Sequence, residues 1–177
     1  MWSCWSLRCF SIIDIQLRDN TTLLNILSSL PSTVTSLKLV GLGLGARGWL
    51  RDCLCSVCAG PPLHLDLSGN ALVDSDLELL LPMLGGDPAR KATDDTLISR
   101  SLLGLNLSGN PKITASGLRN LLVSARESPN CLQNLDLSEC SLGFDGMQLL
   151  IDHISEKRGL AALKDLTLYR VGATSEC

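Results

Sequence analysis

The chain has 177 residues, is 45% hydrophobic and 3% aromatic, and carries a formal net charge of −3. This length and apolar content suit one soluble domain with a sizeable core. The mild acidity argues against direct binding to the phosphate backbone of a nucleic acid, which requires a clustered basic face. No apolar run approaches the roughly 20 residues of a membrane-spanning helix.

The start of the chain is a poor signal peptide, because Arg8 and Asp14 interrupt its apolar stretch and no small-residue cleavage site follows. The sequence also contains eight cysteines. In a long, leucine-rich chain without a secretion signal, reduced thiols are favoured over disulfides. We therefore expect a cytoplasmic or nuclear protein with no membrane partner.

Six short segments share a pattern in which leucine or isoleucine occupies alternate positions, which predicts β-strands with one apolar face. The inner apolar pairs are Ile15/Leu17, Leu37/Leu39, Leu65/Leu67, Leu105/Leu107, Leu135/Leu137 and Leu166/Leu168. Successive pairs are separated by 22, 28, 40, 30 and 31 residues. Self-similarity of this kind is typical of a repeat protein.

A helical pattern follows each of the first five strands, with apolar residues spaced i, i+3, i+4, i+7 along one face. These residues are Leu23, Ile26, Leu27, Leu30; Leu50, Cys53, Leu54, Val57; Leu77, Leu80, Leu81, Leu84; Leu118, Leu121, Leu122, Ala125; and Met147, Leu150, Ile151, Ile154. Strands separated by helices are expected to be parallel. One unit cannot bury its leucines alone, so we predict an α/β solenoid of about six units, with a curved parallel sheet inside and helices outside.

The segments LHLDLSGNAL (63–72) and LQNLDLSECSL (132–142) resemble the leucine-rich repeat consensus, and units of about 28 to 31 residues resemble the ribonuclease-inhibitor-like class. The resemblance covers about residues 12–172, leaving 1–11 as an N-terminal tail or cap and 173–177 as a C-terminal tail. It implies a buried ladder in which an Asn or Cys side chain of each turn bonds to loop backbone. The matching positions are Asn70, Asn110, Cys140 and, loosely, Asn20, and the departures are Leu42 and Val171.

Within this class, the repeats are similar to the C-terminal repeats of the Tonsoku-like proteins, including turns such as SECSLG at 138–143. The ankyrin and tetratricopeptide segments that those proteins carry upstream have no counterpart in this sequence. The resemblance implies a partner-binding segment of a nuclear DNA-replication and recombination-repair factor.

The longest interval between strands contains a polar stretch at 85–96, which predicts a surface loop between the third helix and the fourth strand. This loop is either an idle insertion or a flexible recognition or modification loop.

Gly43, Gly45 and Gly48 match the G-x-G-x-x-G pattern of dinucleotide-binding turns, and Asp66 follows 18 residues later. The repeat offers a simpler interpretation, because Gly146 occupies the position of Gly48 relative to its own strand. We therefore predict glycines at strand-to-helix corners and no cofactor. A nucleotide-binding enzyme is the distant alternative.

Cys53, Cys55 and Cys58 suggest half of a zinc site, but residues two apart on a helix point about 200° apart, so Cys53 and Cys55 cannot share a metal. Cys53 falls on the apolar face and is expected to be buried, whereas Cys55 is the better candidate for an exposed thiol. The sequence places no nucleophile or carboxylate to use His64 or His153 as a catalytic base. We therefore predict no catalytic and no metal-binding residues.

Residues between the strand leucines are expected to project from the concave face of the sheet, with Asp14, Gln16 and Arg18 on the first strand. The candidates for partner binding there are Lys38, His64, Asp66, Asn106, Asn134, Asp136, Asp165, Thr167 and Tyr169. This face changes from mixed and basic at Lys38 to acidic at Asp165, which favours a basic or polar segment of a protein partner. The alternative is that these are solvated polar positions without a partner.

The last strand has no helical pattern after it, so we expect exposed leucines and a free strand edge that need a partner or further repeats. The sequence as a whole predicts a non-catalytic scaffold for protein–protein interaction. The alternative is a truncated regulatory or sensor segment of a larger protein.

Overall fold

The computed structural model describes residues 6–84, 100–127, 132–155 and 162–172. The strands are β1 (Cys9–Ile13), β2 (Ser36–Val40), β3 (Leu63–Asp66), β4 (Leu102–Asn106), β5 (Asn134–Asp136) and β6 (Asp165–Thr167). The helices are α1 (Thr21–Ser28), α2 (Leu50–Ser56), α3 (Leu81–Leu84), α4 (Ala115–Glu127) and α5 (Gly143–Ser155), and a 3-10 segment (Asp74–Leu80) leads into α3. The predicted insertion at 85–96 and the tail at 173–177 lie outside the described residues.

The six strands form one parallel sheet in which the spatial order is the order of the sequence, β1 to β6. The predicted inner leucines align across it, since Leu37 pairs with Leu65, Leu65 with Leu105, Leu105 with Leu135, and Leu135 with Leu166. The α/β class and the parallel sheet are therefore confirmed. No helix within the described ranges is long and apolar enough to cross a membrane.

The first strand lies five residues earlier than the sequence pattern indicates. Phe10 pairs with Leu37 and Ile12 with Leu39, so these two residues take the places assigned to Ile15 and Leu17. The interval to the second strand is then 27 residues, close to that of the other units, and the short first unit disappears. β1 also begins at Cys9, inside the segment 1–11 assigned to an N-terminal tail or cap.

This shift removes Asp14, Gln16 and Arg18 from the sheet face, where Cys9, Ser11 and Ile13 project instead. The alternation that suggested a strand at 13–17 is interrupted because Asp14 has a φ of 51°, which turns the chain out of the extended conformation.

The predicted ladder role of Asn20 is also wrong. Asn20 lies just before α1, and its Nδ2 donates to Asp52 Oδ2 at 3.0 Å rather than to a turn.

The helices pack on the apolar side of the sheet and share one continuous core with the strand leucines. All four predicted core residues are buried on α2 and on α4. The third predicted helix is mostly a 3-10 segment, and its first turn is fixed by Asp76, whose Oδ2 accepts a hydrogen bond from the Val73 backbone N–H at 2.9 Å. Leu81 there is only half-buried, and Met83 is buried in its stead.

The side of the fold formed by α5 and β6 is less completely packed. Ile151 and Ile154, predicted on the buried face of the helix, are 53% and 54% exposed. Leu166 and Leu168 are half-buried, whereas the equivalent Leu135 is buried. Within the described residues nothing packs beyond β6 and α5, which explains why their apolar side chains are exposed, as expected for the last strand.

Two buried asparagines hold the turns that follow the strands. Asn70 Oδ1 accepts hydrogen bonds from the backbone N–H groups of Leu42 at 2.9 Å and Leu44 at 3.4 Å, and its Nδ2 donates to Leu39 O at 2.5 Å. One side chain therefore satisfies three buried backbone groups of the preceding turn. Leu42 occupies the equivalent position one strand earlier, and its apolar side chain cannot make such bonds.

Asn110 repeats this arrangement one strand later and bonds to the turn that contains Asn70. Its Oδ1 accepts from the N–H groups of Asn70 and Leu72, both at 3.0 Å, and its Nδ2 donates to Leu67 O at 3.2 Å and to Leu107 O at 2.7 Å. Cys140 continues the series, with Sγ donating to Leu107 O at 3.4 Å. The ladder implied for Asn70, Asn110 and Cys140 is therefore present.

Arg100 is a buried cation that the sequence patterns did not indicate, with only 3% of its surface exposed. Its Nε donates to Pro61 O at 2.7 Å, its Nη1 to Val57 O at 3.4 Å, and its Nη2 to Val34 O. Burial lowers the pKa of this guanidinium. Arg100 thereby joins the segments before β2 and β3 to the C-terminal end of α2, at the edge of the sheet opposite the asparagine ladder.

We predict that Asn110→Ala lowers the free energy of unfolding by about 3 kcal/mol or more, because it leaves buried donors and acceptors of two turns without partners. Urea unfolding followed by circular dichroism measures the change. The control is Asn106→Ala, which removes a half-buried side chain that accepts one backbone bond at 2.8 Å and should cost about 1 kcal/mol. Equal losses in the two variants would contradict a stabilising role for the ladder.

We predict that Arg100→Met destabilises the fold by about 2–4 kcal/mol, since three carbonyl groups lose their donors. Arg100→Lys should fall between the wild type and the methionine variant, because one ammonium cannot reproduce the planar fork of a guanidinium. The midpoints of urea unfolding of the three proteins give the order of their stabilities. If the methionine variant is as stable as the wild type, the desolvation cost of the guanidinium offsets its hydrogen bonds.

Candidate binding face of the sheet

The polar face of the sheet is the side opposite the helices, and its residues form two rows that cross the strands. The first row contains Ser36, His64, Gly104, Asn134 and Asp165. The second row contains Lys38, Asp66, Asn106, Asp136 and Thr167. Neighbouring residues in a row are about 4.8 Å apart, the spacing between strands.

A groove of about 290 Å³ runs over both rows. Eight of the nine predicted partner-binding residues line it, namely Lys38, His64, Asp66, Asn106, Asn134, Asp136, Asp165 and Thr167. The structure thus brings together side chains that are up to about 130 positions apart in the sequence. The groove also includes Gly104, which was not a candidate.

Tyr169, the ninth candidate, lies outside the groove lining. Its ring is exposed, and the Arg170 guanidinium lies 4.9 Å from the ring centroid. Its backbone N–H donates to Ser138 Oγ at 3.1 Å. Tyr169 therefore lies beside the turn that follows β5, at the margin of the polar face.

Three of the groove residues also stabilise the turn at the end of their own strand. In Asp66, Asn106 and Asp136, one side-chain oxygen accepts a hydrogen bond from the backbone N–H of the serine two residues later, at 3.1, 2.8 and 2.9 Å. These are Asx turns, in which a short side chain replaces a backbone acceptor. The recurring Asp/Asn-Leu-Ser sequence is thus explained by local structure, and the second carboxylate oxygens of Asp66 and Asp136 make none of these turn bonds.

The charge of the groove is uneven. Lys38 is exposed at the β2 side, while Asp66, Asp136 and Asp165 place three carboxylates over β3, β5 and β6. Asn134 Nδ2 donates to Asp165 Oδ2 at 2.5 Å, which fixes the orientation of that carboxylate. One ammonium against three carboxylates makes the groove attractive to a cationic group.

The ring of His64 reaches over the neighbouring strand, with its Nδ1 edge toward Gly104. A methyl group placed on Gly104 would overlap His64 Nδ1, and His64 ring atoms are the nearest neighbours it would meet. The pairing shifts by one residue at this point, because Leu63 faces Leu102 whereas His64 faces Gly104. This bulge and the missing side chain of Gly104 together make room for the imidazole, and neither was evident from the sequence.

The glycines of the G-x-G-x-x-G match are accounted for by the fold. Gly43 and Gly48 have φ values of 68° and 66°, which glycine adopts without strain. Gly45 approaches the next turn so closely that a Cβ would lie 2.6 Å from Ala71 O, and its N–H donates to Asn70 O at 3.1 Å. The loop amide of Gly45 is therefore committed to the protein itself rather than directed at a phosphate.

The described cysteines are all free thiols. Burial raises the pKa of Cys53 to about 12, with a further contribution from the Asp52 carboxylate. Burial likewise raises the pKa of Cys140 to about 11, opposed by the Asn110 backbone N–H and assisted by Asp136. Cys55 is half-buried rather than exposed.

The remaining candidates for metal or acid–base chemistry are dispersed. In the described ranges, no three His, Cys, Asp or Glu side chains form a group that would hold a metal ion. His153 is half-buried on α5, with Nδ1 2.9 Å from Leu149 O.

We predict that iodoacetamide at pH 8 modifies exposed Cys9 in the folded protein but leaves Cys53 and Cys140 unmodified, because thiols with pKa values of about 12 and 11 stay protonated at that pH. Peptide mass spectrometry identifies each site. Denaturation should make all three react at similar rates. Rapid labelling of Cys53 in the folded protein would contradict its burial.

The comparisons with known proteins give a partial match. Over 102 residues, or 55% of this chain, the sequence is 36% identical to a Tonsoku-like protein of Danio rerio, and over 97 residues, or 52%, it is 33% identical to one of Bos taurus. The match covers about 6% of the length of each of these relatives. No family model and no solved structure matches the chain.

Proposed function

We propose that this chain is a non-catalytic leucine-rich-repeat scaffold that binds a segment of another protein on the concave, polar face of its sheet. The observation that carries the proposal is the groove, where eight side chains predicted to bind a partner converge from five consecutive strands. Ordered parallel pairing produces this convergence, since it places equivalent positions of successive units side by side.

The dimensions and chemistry of the groove define the kind of partner. Five strands at about 4.8 Å spacing span roughly 19 Å, which accommodates a short helix or an extended peptide. Most of its lining residues are polar, and carboxylates outnumber the ammonium of Lys38. A basic or polar protein segment fits this surface better than an acidic one.

The partial similarity to Tonsoku-like proteins supports a role as the partner-binding portion of a nuclear factor of DNA replication and repair. The similarity extends over about half of this chain and a small part of those proteins, so it supports this portion alone. Cys53 and Cys140 are buried thiols, so neither is placed to act as a nucleophile on a bound segment.

We predict that combining Asp66→Asn, Asp136→Asn and Asp165→Asn weakens capture of the partner about tenfold, at roughly 0.5 kcal/mol for each exposed charge pair. Asparagine preserves the Asx turns, since Asn106 makes the same bond in the native protein, so charge changes while the fold is kept. The measurement is affinity capture from nuclear extract with quantitative mass spectrometry at about 50 and 200 mM salt.

The matched control combines Glu78→Gln, Asp145→Asn and Asp152→Asn, which removes the same charge from exposed positions on the helices and the 3-10 segment. Proteins bound to the polar face should be lost from the first variant, retained by the control, and released by salt from the wild type. An identical set and amount of captured proteins in both variants would refute the proposed function.

A further inference from the structure

The imidazole of His64 differs from the other polar side chains of the groove, because it contacts a neighbouring strand instead of only extending into solvent. The ring is exposed, yet it lies against the backbone at Gly104, at a bulge in β4. Because the His64 side chain is exposed, its ring is accessible to whatever enters the groove. Planar groups, and the guanidinium of arginine in particular, stack on the faces of aromatic rings.

The side chains on the far side of this ring are rich in hydrogen-bond acceptors. Asn134 uses its Nδ2 to bind Asp165, which leaves the Asn134 Oδ1 and the second oxygen of Asp165 available. Asp136, adjacent in the second row, has one oxygen outside its Asx turn. These acceptors are one or two strand spacings from Gly104, about 5–10 Å.

We propose that this part of the groove is a subsite for one arginine side chain of the bound segment, with the guanidinium stacked on His64 and bonded to Asp136, Asn134 and Asp165. Arginine supplies five donors in a plane, which matches both the flat ring and the surrounding acceptors. A lysine ammonium satisfies the charge but cannot stack, and an uncharged aromatic ring leaves the carboxylates without partners. The inference rests on the proposed function and specifies its partner chemistry.

The test uses the full chain and three synthetic peptides that differ at one position, Gly-Ser-X-Ser-Gly with blocked ends, where X is arginine, lysine or citrulline. Titrations are followed by ¹H–¹⁵N correlation spectra. The arginine peptide should shift the Gly104 backbone and Asn134 side-chain signals and bind about threefold or more tightly than the lysine peptide. Citrulline, which has the shape of arginine without its charge, should give no saturable shift.

Two variants isolate the ring without changing any carboxylate. His64→Ala removes it, and Gly104→Ala displaces it, because the three atoms nearest to the added methyl all belong to His64. Both should reduce the affinity for the arginine peptide to that for the lysine peptide and leave the lysine affinity unchanged. Unshifted core signals in both variants verify the fold, and Glu78→Gln on the 3-10 segment serves as the control that retains full preference.

The possible results separate this inference from the proposed function. Equal affinities for the arginine and lysine peptides, unaffected by His64→Ala, overturn the subsite but leave binding on the polar face intact. Shifts confined to the helices, or no shifts at all, also overturn the subsite. The proposed function fails only if the neutralised variant also captures the same proteins as the wild type.

Discussion

The hydrogen bonds of two buried amides determine how the rest of the structure is arranged. Asn70 and Asn110 each bond to the backbone of the preceding turn, so every turn between β2 and β4 is fixed relative to the next. Leucine packing alone is non-directional and would tolerate a slip of two residues, which keeps the leucines on the buried face. The amides are directional, and such a slip would leave them buried without partners. They therefore set the register that aligns the rows of the polar face.

At the other side of the sheet, where the strands begin, a different side chain bonds to the backbone. There the chain returns from the helices, and the Arg100 guanidinium collects carbonyls from segments centred on Val34, Val57 and Pro61. A guanidinium has only donors, so it suits the side where several carbonyl groups converge. A side-chain amide has both donors and an acceptor, so it suits the side where backbone N–H and C=O groups both need partners. Strands β2, β3 and β4 are thus held at both ends, which fixes the relative positions of their polar side chains.

Repetition made most of the sheet predictable, and departures from repetition were the places where prediction failed. Strands β2 to β6 follow from alternating leucines, because a two-residue period decides which face of each strand is buried. The first strand was misplaced because residues 13–17 alternate as well as residues 9–13, and the left-handed Asp14 that decides between them has no sequence signature. The contact of His64 with Gly104 depends on a bulge between strands about 40 residues apart, and Arg100 depends on three separate carbonyl groups. Neither arrangement is encoded locally.

The two rows of the polar face differ in how free they are to take part in recognition. On the three middle strands, the second row consists of Asp66, Asn106 and Asp136, and each side chain is held by an Asx turn, so its identity is limited to a short acceptor. The first row makes no such turn bonds. It holds an imidazole, a glycine and an amide on these three strands and a carboxylate on β6. Chemical variety is thus greater in the first row, whose side chains make no Asx turns. Specific recognition is best sought there, while the second row supplies a uniform field of acceptors that attracts cations without distinguishing among them.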